Sequence, residues 1–269
     1  MRADELMANM TPGIHWADDD ADGIATVSLS NPDKLNAING DMWRQLGRVM
    51  SELSARDDLR CIIIRGEGEV FAAGGDIEEF RTARATVDLA LSYHEVVGEA
   101  LAAIEQCPLP TVAAILGPCV GGGLEIACAC DLRIAGESAK FGAPILKLGF
   151  SMYPGEMHGL LQLAGSAVVK EILLEGRLYS AEEAYAKGLL SRVVADAKVM
   201  EEAAATARRI AAGAPLVARW HKHWIARLMT GEPLSEQEKR DSFAFLASAD
   251  YAEGLAAFAE KRAPKFKGR

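Results

Sequence analysis

The chain has 269 residues and a formal charge of −9, from 29 Lys plus Arg against 38 Asp plus Glu. That acidic balance disfavours broad attraction to nucleic acid or to an anionic membrane. The length suffices for one large core, with or without a helical appendage.

Cys61, Cys107, Cys119, Cys128 and Cys130 sit in or beside apolar stretches without the paired spacing of a zinc module, so reduced buried thiols and no metal are expected. No apolar run reaches the roughly 20 residues of a membrane helix, and residues 1–11 have no hydrophobic signal core. A soluble cytoplasmic protein is the expectation for a bacterial host.

In chain order, residues 1–13 read as a flexible N-terminal segment. Short strand patterns at 14–17 and 24–29 flank a polar turn, and 61–65, 111–116 and 132–135 read as further strands. Between them, Met42, Leu46, Val49, Met50 and Leu53 form one apolar helical stripe, and Val87, Leu91, Val97, Leu101 and Ile104 most of another. Alternation of strand and helix predicts an α/β core over 14–194. Residues 195–269 read as helical, over 199–211, 215–229, 234–246 and 250–261, with Gly213, Pro215, Gly231 and Pro233 as breakers.

Two apolar runs end in glycine turns: Phe71-Ala72-Ala73-Gly74-Gly75-Asp76-Ile77 and Pro118-Cys119-Val120-Gly121-Gly122-Gly123-Leu124-Glu125. Amides exposed at a turn or helix start can hold developing negative charge without reorganising. The bland reading is that the glycines only permit tight turns and close packing. Glu125 falls just inside the second helix, where it either moves protons or is merely a carboxylate stabilised by local amides.

With Asn31-Pro32-Asp33-Lys34-Leu35-Asn36-Ala37-Ile38, Cys130-Asp131-Leu132, Ala139-Lys140-Phe141-Gly142-Ala143-Pro144 and the stretch from Leu178 to Leu190, these segments resemble the crotonase superfamily, the enoyl-CoA hydratase and isomerase family, in order and spacing. The resemblance implies an α/β spiral of ββα units followed by a C-terminal helical oligomerisation region, assembled as a homotrimer or a dimer of trimers. It implies an acyl-CoA substrate, with coenzyme A part of that substrate and no separate cofactor. Gly75 and Gly122 become the amides that hold the thioester oxygen, and Glu125 the first catalytic glutamate. Ala73, Asp76, Ile77, Ile145, Lys34 and Phe258 are the other expected substrate-binding positions.

Ile145 stands where the family's usual second glutamate belongs, the largest departure from the hydratase pattern. Glu156 or Tyr153 is a candidate replacement. Glu156 otherwise reads as a helix-start cap or solvent contact, and Tyr153 as packing surface. Asp76 reads as a cap or loop brace. His94 reads as a packed or partly exposed histidine rather than a general base. Lys34 either meets a CoA phosphate or is a solvated lysine. Phe258 either shapes a CoA pocket between subunits or packs its helix, and Lys261, Lys265 and Lys267 form a solubilising tail.

The expected activity is that of an enoyl-CoA hydratase, a lyase of fatty acid metabolism. Isomerase, acyl-CoA decarboxylase or thioester hydrolase chemistry is the alternative within the family, and acyl-CoA binding without catalysis the alternative outside it.

Overall fold

The computed structural model describes residues 11–19 and 22–269; most of the expected flexible segment, residues 1–10, lies outside the described residues. Nine strands form two sheets among the described residues. In the larger, β1 (Gly13–Asp19) pairs antiparallel with β2 (Ile24–Ser30), and parallel strands β3 (Cys61–Gly66), β4 (Thr111–Ile115), β6 (Leu132–Gly136) and β9 (Arg192–Val194) follow in the order β1-β2-β3-β4-β6-β9. The smaller orders β5 (Pro118–Val120), β7 (Lys140–Gly142) and β8 (Tyr179–Ser180).

The helices, in chain order, are α1 (Gly40–Ser54), α2 (Phe80–Ala83), α3 (Val87–Glu105), α4 (Gly122–Ala129), α5 (Met157–Glu175), α6 (Ala181–Ala186), α7 (Val199–Ala211), α8 (Pro215–Met229), α9 (Glu236–Asp241) and α10 (Ala249–Glu260). Cys61-Ile62-Ile63-Ile64 is apolar throughout because a parallel strand is covered on both faces. Alternation along β3 then divides it: Ile62 and Ile64 join the cluster containing the stripes of α1 and α3, while Cys61 and Ile63 pack with Val199, Ala203 and Ala207 of α7. Each fully buried Ile or Leu contributes about 1.5–3 kcal/mol relative to exposure.

Asn39 caps α1, its Oδ1 accepting from Met42 N–H at 2.9 Å. Met42, Leu46, Val49, Met50 and Leu53 are all buried, as their spacing predicts. The stripe of α3 differs. Tyr93, Val97, Ala100, Leu101 and Ile104 carry it, whereas Val87 and Leu91 are exposed. Helical period identifies a set of faces, and contact with α1 selects among them.

The expected helix over 234–246 divides into α9 and a 3₁₀ turn at Ala244–Ala247. A capping box, Ser235 with Glu238, starts α9, and Ser242 bonds back to the Lys239 carbonyl where it ends. Pro154–Glu175 is the described segment long and apolar enough, by composition, to cross a membrane. Its backbone breaks at Gly165, φ 72 and ψ 163, and Leu160, Val169 and Ile172 are buried in the protein.

Arg133 anchors α4 from below. Its buried guanidinium donates to the carbonyls of Cys130 at 2.5 Å, Ala127 at 3.2 Å and Leu189 at 2.8 Å. Carbonyls at the end of α4, which lack helical partners, are thereby tied to the chain entering β9. The helix that carries Glu125 is fixed at its far end.

Candidate active site

The two glycine turns lie against each other. A Cβ on Gly121 would sit 3.5 Å from Gly74 Cα, and one on Gly123 would sit 2.5 Å from the Ala72 carbonyl oxygen. At Gly123 only glycine lets backbone approach backbone this closely. Gly74 and Gly121 also adopt positive φ, 114° and 50°, which a side chain would strain.

Ile38 bonds the residues on either side of Gly75, its N–H donating to Gly74 O at 2.8 Å and its carbonyl accepting from Asp76 N–H at 3.0 Å. In such a bridge the Gly75 N–H points away from Ile38. Gly122 is the first residue of α4, so its N–H has no intrahelical acceptor. Both glycines line one pocket of about 750 Å³, open solvent at its mouth included.

Glu125, in the first turn of α4, lines the same pocket. Its side chain keeps partial exposure, yet burial of its carboxyl pushes the pKa up to about 8, the Glu156 carboxylate adding to the rise and Arg84 opposing it. A carboxyl in that state can take or give a proton near neutral pH.

Glu156 and Tyr153 also reach the pocket. Glu156 is 8% exposed and makes no cap at the start of α5; its Oε1 instead lies 2.5 Å from His94 Nδ1. The cap or solvent role expected for this glutamate is therefore corrected. Burial favours pairing with His94 over either. Tyr153 stacks on the His94 ring, centroids 4.9 Å apart and planes at 23°. His94, read from its sequence neighbours as a packing residue, lines the pocket because α3 runs past the turn that carries Glu156.

Ala73, Ile77 and Ile145 line the pocket, whereas Asp76, Lys34 and Phe258 are not part of its lining. Asp76 braces the loop. Its Oδ1 accepts from Glu78 N–H at 3.1 Å and its Oδ2 bonds Lys34 Nζ at 2.8 Å. Lys34 also bonds Glu78 at 2.8 Å, and these hydrogen bonds hold its ammonium above the usual lysine range. Lys34 thus clips the 31–37 loop to the Gly75 turn. Asn36 completes the clip by donating to the carbonyls of Glu67 and Val70 at 2.9 and 2.7 Å. Phe258, 87% exposed on α10, has no part in the pocket of its own chain.

Sequence reasoning passed over Trp43, Phe80, Arg84, Tyr93 and Phe150, all of which line the pocket. The available signal was weak: Arg84 follows the last residue of α2 and Tyr93 lies in the second turn of α3, where charged and aromatic residues are ordinary. Among the described residues, no group of three or more His, Cys, Asp or Glu is placed to hold a metal ion.

The family model for enoyl-CoA hydratase/isomerase matches residues 19–269. A Mycobacterium tuberculosis protein named "Probable enoyl-CoA hydratase echA8" is 36% identical over 249 residues, covering 91% of this chain and 95% of that protein. Among solved structures, an enoyl-CoA hydratase/carnithine racemase from Magnetospirillum magneticum is 48% identical, with 97% of each chain covered and a TM-score of 0.93. An enoyl-CoA hydratase from Bacillus anthracis is 31% identical, with 92% of this chain and 96% of that one covered and a TM-score of 0.83.

Proposed function

Because the chain belongs to the enoyl-CoA hydratase/isomerase family, we propose that it adds water across the double bond of a 2-enoyl-CoA thioester, with Glu125 as general base. The observation that carries this reading is that Glu125 and Glu156 share one pocket with the free-facing turns of Gly75 and Gly122. Hydration needs a base for water and an acid for the neighbouring carbon. Ile145 supplies neither, and Glu156 restores a second carboxyl.

In the proposed step, the water oxygen bonds to C3 while Glu125 takes a water proton. The double-bond electrons move toward C2 and the thioester oxygen, where the Gly75 and Gly122 N–H groups donate. In this reading the His94–Glu156 pair delivers a proton to C2. The proton on Glu125 then returns through water to that pair, so that one water has been added and the site restored.

Coenzyme A enters as part of the substrate, without a separate cofactor. Ala73, Ile77 and Ile145 would shape the acyl path. Lys34 would meet a CoA phosphate only by sharing its ammonium with Asp76 and Glu78. Residues 14–194 would form the catalytic core and 195–269 an oligomerisation region, with Phe258 facing a neighbouring subunit's CoA site in a homotrimer or dimer of trimers. Five buried, unpaired cysteines suit a cytoplasmic setting, where thiols stay reduced, and fatty acid breakdown is the metabolic role that fits the substrate.

Ile145 favours one second reading, an isomerase in which Glu125 alone removes a proton from one carbon and returns it to another. Mass-resolved turnover of a small acyl-CoA panel, with Glu125→Gln alongside, tests both. A gain of one water that disappears in the variant supports hydration. Double-bond migration without a mass change supports the isomerase, and hydration that survives in the variant rejects the role of Glu125.

A further inference from the structure

Among the described residues, Arg84 is the one arginine or lysine in the pocket lining, and the proposed hydration gives it no contact with substrate. Its guanidinium carbon lies 3.6 Å from the Phe80 ring centroid, 5.0 Å from that of Tyr93 and 5.1 Å from that of Phe150. Phe80 meets both other rings edge-on, so the three aromatics form a box around the cation. Ring faces attract the charge but leave its N–H groups without acceptors.

The Arg84 Nε is buried and has no hydrogen-bond partner, and its side chain forms no ion pair among the described residues. Arg56, Arg177, Arg227 and Arg262, by contrast, all bind carboxylates. Leaving a buried guanidinium nitrogen without an acceptor is costly. Glu125 and Glu156 line the same pocket, yet neither is bonded to Arg84; Glu156 is held by His94 instead. The pocket therefore presents an unspent fork of donors whose geometry matches a carboxylate.

Position narrows the ligand further. A Cβ on Gly75 would lie 2.8 Å from Phe80 Cζ, and Arg84 stacks on that same ring. The Phe80 ring thus touches both the Gly75 turn and the guanidinium. A short acyl chain held at the Gly75 amide would run beside the ring that carries the cation.

Resting on the reading of this pocket as an acyl-CoA site, we propose that Arg84 receives a carboxylate at the distal end of the acyl group. The substrate class is a short enoyl-CoA bearing a second carboxyl group. Selectivity arises because a neutral acyl end leaves the guanidinium unpaired, while an anionic end completes it.

Calorimetric titration with glutaryl-CoA and butyryl-CoA tests this without turnover, since both are saturated and differ by one carboxylate. The expected result is glutaryl-CoA bound roughly 10- to 100-fold more tightly, as hydrogen bonds to a charged group contribute. Arg84→Met reduces that ratio to near unity, and Arg84→Lys, which keeps charge but loses the fork, leaves an intermediate ratio. Should the Met variant fail to fold, the Lys variant carries the test. Equal affinity for the two thioesters in the wild type, or a ratio unchanged in the variant that carries the test, overturns the proposal. Turnover of glutaconyl-CoA and crotonyl-CoA separates the two readings. Tight glutaryl-CoA binding without hydration of either substrate rejects the hydratase and keeps the carboxylate site; hydration of both with equal kcat/KM does the reverse.

Discussion

His94 Nδ1 lies 2.5 Å from Glu156 Oε1, a bond that joins α3 to the turn before α5 across 62 residues of sequence. Tyr153 stacked on one face of the imidazole limits the ring's rotation. Its consequence is that the second carboxyl of the pocket is oriented by a side chain from another helix.

His94→Asn is accordingly expected to lower turnover by roughly 10- to 100-fold and to change KM less, because it removes the partner that orients Glu156. A structural role alone would instead lower the melting temperature and leave the pH profile unchanged. Steady-state kinetics across pH decide between these outcomes.

Glu125→Gln keeps the size of the side chain and removes the proposed base. Turnover should fall by about 10²- to 10⁴-fold, with binding of a saturated acyl-CoA retained. Loss of binding in step with turnover would show that the carboxyl holds the pocket's shape rather than moving a proton.

The acid constant of Glu125 gives a pH dependence with a definite sign. Burial first, and Glu156 second, raise it from 4.5 to about 8, with Arg84 opposing the rise. A base must be ionised, so kcat/KM should climb as pH rises toward about 8. A profile falling through that range would make Glu125 the acid instead.

The same shift is a statement about stability. Between pH 4.5 and about 8 the folded chain keeps a proton on Glu125 that the unfolded chain has lost, so the protonated carboxyl's contribution is full at low pH and disappears as pH rises. Glu125→Gln lacks this dependence and should gain stability relative to wild type between pH 5 and 9. Urea unfolding at both ends of that range measures the difference.

Gly123→Ala would place a methyl 2.5 Å from the Ala72 carbonyl, immediately before the Gly75 turn. Backbone must move to relieve the contact. A stability loss of roughly 1–3 kcal/mol is expected, together with a fall in turnover as the two proposed donor amides separate. Urea midpoints and kinetics on the same preparation check both halves.

Much of the site was legible because it is written in backbone requirements. Gly74 and Gly121 occupy positive φ, and Gly123 touches a carbonyl that no side chain would allow. Such demands act within a few residues, so runs of glycine after apolar strands locate the turns and Glu125 beside them. The strand at 61–65 and the stripe of α1 were equally plain, since burial on a strand or helix imposes its own period.

Side chains that meet across the fold left no such trace. Residues 84, 93, 94, 153 and 156 come together only when α3 packs beside the turn leading into α5. The identity of each is compatible with an ordinary surface or core role, and nothing in its neighbours distinguishes the two. Local sequence by itself determined where the chain turns, which faces are apolar and where the first carboxyl stands, because those follow from φ, ψ and period. Only the tertiary structure decided that Glu156 is paired with His94 and that Arg84 stands unpaired in an aromatic box, because burial and electrostatic partnership belong to the packed space between elements.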